Sequence, residues 1–254
     1  MSDSSSPLVV ITGACGGIGA ALVERFGRSG ARLVLCDLDP AALERVTHPA
    51  VALRLGFDLA DPAACRAATA RIERDVGVPD IFVSNAGWTR AETLATTDDE
   101  AWRHELAVNL TGTRDLATPL LGAMRARGSG AFVFVSSVNA LGHYGNPAYS
   151  AAKAGLLAYM RAIAVEAGPD GVRANAVCPG SVRTPAWDHR FAEKPDLLGR
   201  IAPLYPLRRM VTPQEVAEAV FFLASPLSSG ITGVALPVDA GLGAGNPTFV
   251  EAIS

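Results

Sequence analysis

Tyr149 and Lys153 stand four residues apart in "NPAYSAAKAGLLAYMRAIAVE" (146–166), a stretch whose composition predicts a helix. Residues at i and i+4 share a helical face, so the ammonium can sit beside the phenol. A phenol ordinarily gives up its proton at about pH 10, and a neighbouring cation favours the phenolate. Such a tyrosine can serve as general base toward an alcohol or general acid toward a carbonyl. The same spacing also occurs on ordinary half-exposed helices. The pair therefore needs a second observation before it means chemistry.

That observation is "TGACGGIG" (12–19), four glycines between the apolar run "LVVI" and the helix-like "AALVERFGRSGA". Glycine reaches backbone angles closed to other residues and lets a ligand approach the main chain. A tight strand-to-helix turn is one reading. The other is a phosphate cradle, because a helix amino terminus offers unpaired N–H groups and partial positive charge. Asp37 ends the next apolar run, 18 residues past Gly19. An acid there can accept from the adenosine ribose hydroxyls and would repel a 2'-phosphate. Neighbouring Leu38 offers no cation, so the electrostatics favour NAD over NADP. Asp37 could instead cap a helix, although Asp39 before Pro40 is better placed to do so.

These groups need a frame. Short apolar runs recur at 8–11, 32–36, 51–55, 80–84, 131–136, 172–178 and 234–238, with longer Ala-, Leu-, Glu- and Arg-rich segments between most of them. Such alternation predicts parallel strands joined by crossover helices. Helix starts are marked by "DPAAL" (39–43), "DPAAC" (61–65) and "TPQEV" (212–216), where Asp or Thr can cap and Pro occupies the first turn. No linker or internal repeat interrupts the order. The expectation is one doubly wound α/β domain over residues 8–254, with about seven parallel strands, helices on both faces and ligand at the strands' carboxyl ends.

Composition narrows the partners. Net charge is -3, with basic residues scattered, which gives no electrostatic reason to bind nucleic acid or a membrane surface. "MSDSSSPL" lacks the basic and apolar regions of a signal peptide, and residues 1–7 read as a flexible tail. No uncharged apolar stretch is long enough to span a bilayer. Cysteines at 15, 36, 65 and 178 lack metal-ligand spacing, and no metal site is expected. A cytoplasmic chain without structural disulfides is the expectation.

Together these segments resemble the short-chain dehydrogenase/reductase family, over nearly the whole chain. "TGACGGIG" is similar to its T-G-x-x-x-G-x-G loop, "SNAG" (84–87) to its N-A-G motif and "NAVCPGSVRTP" (175–185) to its P-G motif. "FDLAD" supplies Asp58, "VNLTG" supplies Asn109, and "FVFVSSVNA" supplies Ser137, 12 residues before Tyr149; "ITGVALPVDAG" (231–241) looks like the family's close. Ser84 departs from a frequent Asn, which should alter packing more than chemistry.

The resemblance implies a Rossmann-type fold and an NAD-dependent oxidoreductase that interconverts a secondary alcohol and a ketone. Tyr149 would exchange a proton with the substrate oxygen, held by Ser137. Lys153 would bind the nicotinamide ribose and lower the tyrosine pKa, and Asn109 would position a water in the proton relay. Gly13, Cys15, Gly16, Gly17, Ile18 and Gly19 would form the pyrophosphate turn; Asp37 and Leu38 would meet the ribose, Asp58 and Leu59 the adenine. Asn85, Ala86 and Gly87 would line the adenosine and ribose side, with Pro179, Gly180, Val182 and Thr184 around the carboxamide.

Alternatives stay open at several positions. Ser136 could face the site in place of Ser137, since neighbouring strand residues point opposite ways. Asn109 could simply bond nearby backbone. His143 could meet a polar substrate or cap a turn. Substrate contacts are expected from Ser137, Asn139, His143, Tyr149 and Trp187, with residues 184–212 as the substrate-binding segment, of which 186–210 could act as a mobile lid. A small alcohol, polyol or hydroxy-acid derivative is the expected substrate. Reduction of a 3-oxoacyl thioester, or NAD sensing without turnover, are the alternatives. The family's habit of assembly implies a homotetramer, with "VAEAVFFLA" (216–224) and the last strand at a shared interface.

Overall fold

The computed structural model describes residues 6–90 and 93–254, so most of the tail expected over 1–7 lies outside the described residues. Seven parallel strands form one sheet in the order β3-β2-β1-β4-β5-β6-β7. They are β1 (Leu8–Thr12), β2 (Arg32–Asp37), β3 (Val51–Gly56), β4 (Ile81–Ser84), β5 (Gly130–Val135), β6 (Val172–Pro179) and β7 (Ala235–Val238). Each coincides with one of the apolar runs to within two residues, because a strand covered on both faces must be apolar throughout.

Alternate strand residues feed two cores. On one face Val9, Ile11, Leu33 and Val133 pack with α1 (Gly17–Arg28) and α9 (Pro213–Ala224). The seam between these helices is aromatic, with the Phe26 and Phe221 ring centroids 5.3 Å apart and the Arg25 guanidinium 3.4 Å above Phe221. Phe26 is 1% exposed, and truncating it to Ala should cost about 3–5 kcal/mol. On the other face Val10, Phe82, Phe132 and Phe134 meet residues of α3 (Pro62–Asp75), α5 (Gly112–Arg127) and α6 (Pro147–Glu166). The apolar face of α9 is thus used largely within the chain, leaving Phe222 outward.

The local helix signals act as written. Asp39 accepts from Ala41 and Ala42 N–H groups and caps α2 (Pro40–Glu44), and Asp61 does the same for α3. Thr212 and Glu215 form a reciprocal capping box on α9. Three further helices follow in the remaining segments: α4 (Asp99–Leu106), α7 (Pro185–Glu193) and α8 (Leu197–Ile201). The last helix is α10 (Pro247–Ile253). A π turn at Ala107–Thr111 joins α4 to α5. All four cysteines are free thiols. Among the described residues no helix is long and apolar enough to cross a membrane.

Candidate active site

Strand order reverses between β1 and β4, and there the carboxyl ends open a crevice. Thr12, 2% exposed, ties the two strand ends together. Its hydroxyl accepts from the Asn85 and Ala86 N–H groups at 3.0 and 2.9 Å. Asn85 Nδ2 donates back to the Thr12 and Gly13 carbonyls, both at 3.0 Å. Gly13 sits at φ +63°, and a Cβ there would come 2.8 Å from Ala86 Cα. Only glycine fits this approach.

The turn continues into α1, whose N-cap is Gly16 with no side-chain cap and no acidic residue in the first turn. Its leading N–H groups are therefore left for an anion. A cavity of about 460 Å³ runs along this face, lined by Gly13, Gly16, Gly17, Ile18, Asp37, Leu38, Asp58, Leu59, Asn85, Ala86, Gly87 and Thr184 among others. Asp37 is no helix cap: its carboxylate accepts from Cys15 N–H at 2.8 Å and more loosely from Asp39 at 3.3 Å. Leu38 is 68% exposed. Cys15 and Gly19 do not line the cavity. Cys15 contributes the N–H that orients Asp37, while a Cβ on Gly19 would come 2.0 Å from the Gly13 carbonyl oxygen, so Gly19 serves packing.

A smaller recess of about 220 Å³ shares Ile18, Asn85 and Gly87 with the first and is lined by Ser137, Tyr149, Lys153, Pro179, Gly180 and Val182. Strand alternation gives the two serines different partners. Ser136 Oγ donates to the Lys153 carbonyl at 3.1 Å, anchoring α6 to β5, whereas Ser137 Oγ donates to Asn139 Oδ1 at 3.2 Å. Both serines line the recess, and Ser137 is the one whose hydroxyl acts on the Tyr149 phenol. Asn146 takes the left-handed conformation (φ 51°) and Pro147 opens α6, which sets Tyr149 in the first turn. Lys153, 3% exposed, donates to the Val135 carbonyl at 3.0 Å, and its Nζ lies 5.5 Å from the Tyr149 ring centroid.

The electrostatics differ from the sequence expectation. Burial pushes the Tyr149 phenol up to about 12, against the opposing pull of the Ser137 hydroxyl. Burial also brings the Lys153 ammonium down to about 8, opposed by the Glu105 charge. Desolvation is thus the dominant influence on both members of the pair.

Asn109, fully buried in the π turn, lies beneath the recess. Its Oδ1 accepts from Trp88 N–H at 3.1 Å, and its Nδ2 donates to the Trp88 carbonyl at 2.7 Å and to Glu105 Oε2 at 2.9 Å. The side chain is thus committed to anchoring the loop after β4.

Beyond Tyr149 a third cavity, about 510 Å³, is lined by Ser137, Asn139, Tyr144, Tyr149, Trp187 and Tyr205 among others, and none of its described lining residues is charged. Asn139 Nδ2 donates to the Gly145 carbonyl at 2.8 Å and its N–H to Ser137 Oγ at 3.1 Å, so it also shapes the turn before α6. His143 is exposed in that turn, and its neighbour Tyr144 lines the cavity. Thr12 and Glu105 are the site's unexpected members. A polar residue ending an apolar strand was the available signal for Thr12, and nothing local marked Glu105.

Comparison with known proteins agrees with this geometry. The family described as Enoyl-(Acyl carrier protein) reductase matches residues 13–243. An oxidoreductase of the short-chain dehydrogenase/reductase family from Burkholderia thailandensis superposes with a TM-score of 0.91 at 43% identity, covering 98% of each chain. The chain is 38% identical to a galactitol 2-dehydrogenase (L-tagatose-forming) of Cereibacter sphaeroides, over 91% of this chain and 92% of that one. It is 36% identical to an acetoacetyl-CoA reductase of Rhizobium meliloti, over 93% and 98% respectively. With a family model over residues 13–243, a solved structure superposing over 98% of each chain and relatives aligned almost end to end, the chain belongs to the short-chain dehydrogenase/reductase family of oxidoreductases.

Proposed function

We propose that the protein is an NAD-dependent oxidoreductase that interconverts an uncharged secondary alcohol and its ketone. The observation that carries this reading is one cavity wall, where Ser137, Tyr149 and Lys153 line the same recess beside the glycine turn. The residues fit a dinucleotide: Gly13, Gly16 and Gly17 with the α1 amino terminus for the pyrophosphate, Asp37 for the adenosine ribose, and Asp58 for the adenine. Lys153 would hold the nicotinamide ribose, with Val182 and Thr184 at the carboxamide. When bound, the nicotinamide gives or takes the hydride at the substrate carbon.

The chain's own residues do the rest. Ser137 Oγ holds the substrate oxygen, and Tyr149 Oη takes the hydroxyl proton in oxidation or returns it in reduction. Lys153 compensates charge developing on the phenol. The third cavity takes the substrate's body, with Trp187 and the rest of residues 184–212 as the substrate-binding segment. Its uncharged lining favours a neutral alcohol over a carboxylate or phosphate, which would be buried without a counter-charge.

NAD is favoured over NADP because Asp37, which lines the cavity and would meet the ribose, would repel a 2'-phosphate, and the adjacent Leu38 offers no cation. NADH formation across a panel of neutral secondary alcohols and polyols, with NAD and NADP in parallel, tests both parts of the reading. Turnover only with NADP would overturn the cofactor choice. A second reading, 3-oxoacyl-thioester reduction, is favoured by the acetoacetyl-CoA reductase relative, and oxidation of NAD(P)H by acetoacetyl-CoA tests it directly. The protein is also proposed to be a cytoplasmic homotetramer, which a sedimentation run showing monomer would refute.

A further inference from the structure

On the inner face of α4, where an amphipathic helix normally presents Ala or Leu to the core, the chain presents Ala101 and then Glu105. Glu105 is 2% exposed. A carboxylate is rarely that deep unless paired or hydrogen-bonded. Its Oε2 accepts from Asn109 Nδ2 at 2.9 Å, and its Oε1 from the Arg90 N–H at 3.1 Å. The Glu105 carbonyl accepts from the same Asn109 amide at 3.0 Å, so one glutamate grips the π turn by both backbone and side chain.

That grip reaches the lysine. A Cβ added to Gly87 would lie 2.9 Å from Asn109 Oδ1 and 3.3 Å from Lys153 Nζ, so glycine leaves amide and ammonium side by side under the recess. Four elements surround Lys153: α4 with Glu105, α6 with Tyr149, β5 with the Val135 carbonyl and β6 with the buried Cys178 thiol. His104, next to Glu105, turns outward and meets Trp88 edge-on, ring centroids 4.6 Å apart. Two groups oppose the cost of burying the Lys153 ammonium, the Glu105 carboxylate first and the Cys178 thiol after it.

We propose that Glu105 is a positioning residue for proton transfer, holding Asn109 in the π turn and serving as the buried counter-charge that keeps Lys153 cationic. The inference rests on Tyr149 and Lys153 being the proton-transfer pair. Without the Glu105 charge, Lys153 loses its proton at lower pH and no longer offsets negative charge on the phenol. A merely structural Glu105 would leave the lysine's titration where it is.

The chain makes the test simple, because Lys153 and Lys194 are its only lysines. Protein labelled with carbon-13 at lysine Cε gives one resonance from each, and Lys194→Gln assigns them. In the cofactor-free protein Lys153 should titrate near about 8. Glu105→Gln should lower that midpoint by about one pH unit or more, and Glu105→Asp should restore most of the loss. Glu105→Met, a neutral side chain of similar length suited to burial, serves if the Gln variant does not fold, with the same shift expected. A Lys153 midpoint unmoved in a folded Gln or Met variant overturns the proposal. This readout needs neither cofactor nor substrate, so it fails or succeeds apart from any assay of Tyr149→Phe.

Discussion

At the glycine turn, Gly13, Gly16 and Gly17 present main chain, and the flanking Asp37 and Asp58 carboxylates are hydrogen-bonded to backbone N–H groups. On the opposite wall the working groups are side chains. Asn109, Glu105 and Lys153 are respectively 0%, 2% and 3% exposed, and Ser137 is 7% exposed. A backbone cradle recognises shape and phosphate charge without titrating. A wall of buried ionisable groups gains altered proton affinities at the cost of desolvation. Changes in the cradle should therefore alter binding and folding, whereas changes at the wall groups that do not hold cofactor, such as Tyr149, should alter proton transfer with binding spared.

The sharpest break of that contrast is Tyr149→Phe. It should reduce turnover by about a thousandfold while NAD affinity by calorimetry stays within about twofold, as expected for loss of general acid–base catalysis alone. Next is Gly19→Ala, whose Cβ would sit 2.0 Å from the Gly13 carbonyl oxygen. Overpacking there should cost about 1–3 kcal/mol of stability, read as a lowered Tm, together with loss of NAD binding. Asp37→Ala should cut the NAD-over-NADP preference about tenfold, the effect of about one charge interaction of 1–2 kcal/mol.

Smaller again is a pH effect. The Tyr149–Lys153 pair sheds its first proton near about 8, where Lys153 is held. Above that value Lys153 no longer offsets negative charge on the phenol, so rates in both directions should fall as pH increases through it. Steady-state rates in both directions across that window check the sign. Smallest is His143→Ala, an exposed position at which both kcat and KM should change by less than about twofold.

The sequence was most readable where structure is local. Seven apolar runs became seven strands because parallel strands covered on both faces must be apolar along their length. Asp39, Asp61 and Thr212 announced their helices because capping is decided within a few residues. Ser137, Tyr149 and Lys153 were found through spacing and motif, and the structure brings them to one recess. What depends on distant packing was hidden. Nothing in "DDEAWRHELAVN" (98–109) tells which carboxylate turns inward, since that is set by α4 lying against α6. Desolvation of Tyr149 was hidden for the same reason, because i and i+4 spacing reveals a neighbouring cation but not the burial that pushes the phenol up. Gly19 and Cys15 belong to the motif yet act one step back, in packing and in orienting Asp37.

The central claim is that Tyr149 exchanges the substrate proton in an NAD-bound site. The most direct test compares wild type and Tyr149→Phe for NADH formation from neutral secondary alcohols, with NAD binding measured on both by calorimetry. The account predicts turnover in the wild type, near-complete loss in the variant and equal NAD affinity. A Tyr149→Phe protein that binds NAD and keeps full turnover would contradict it.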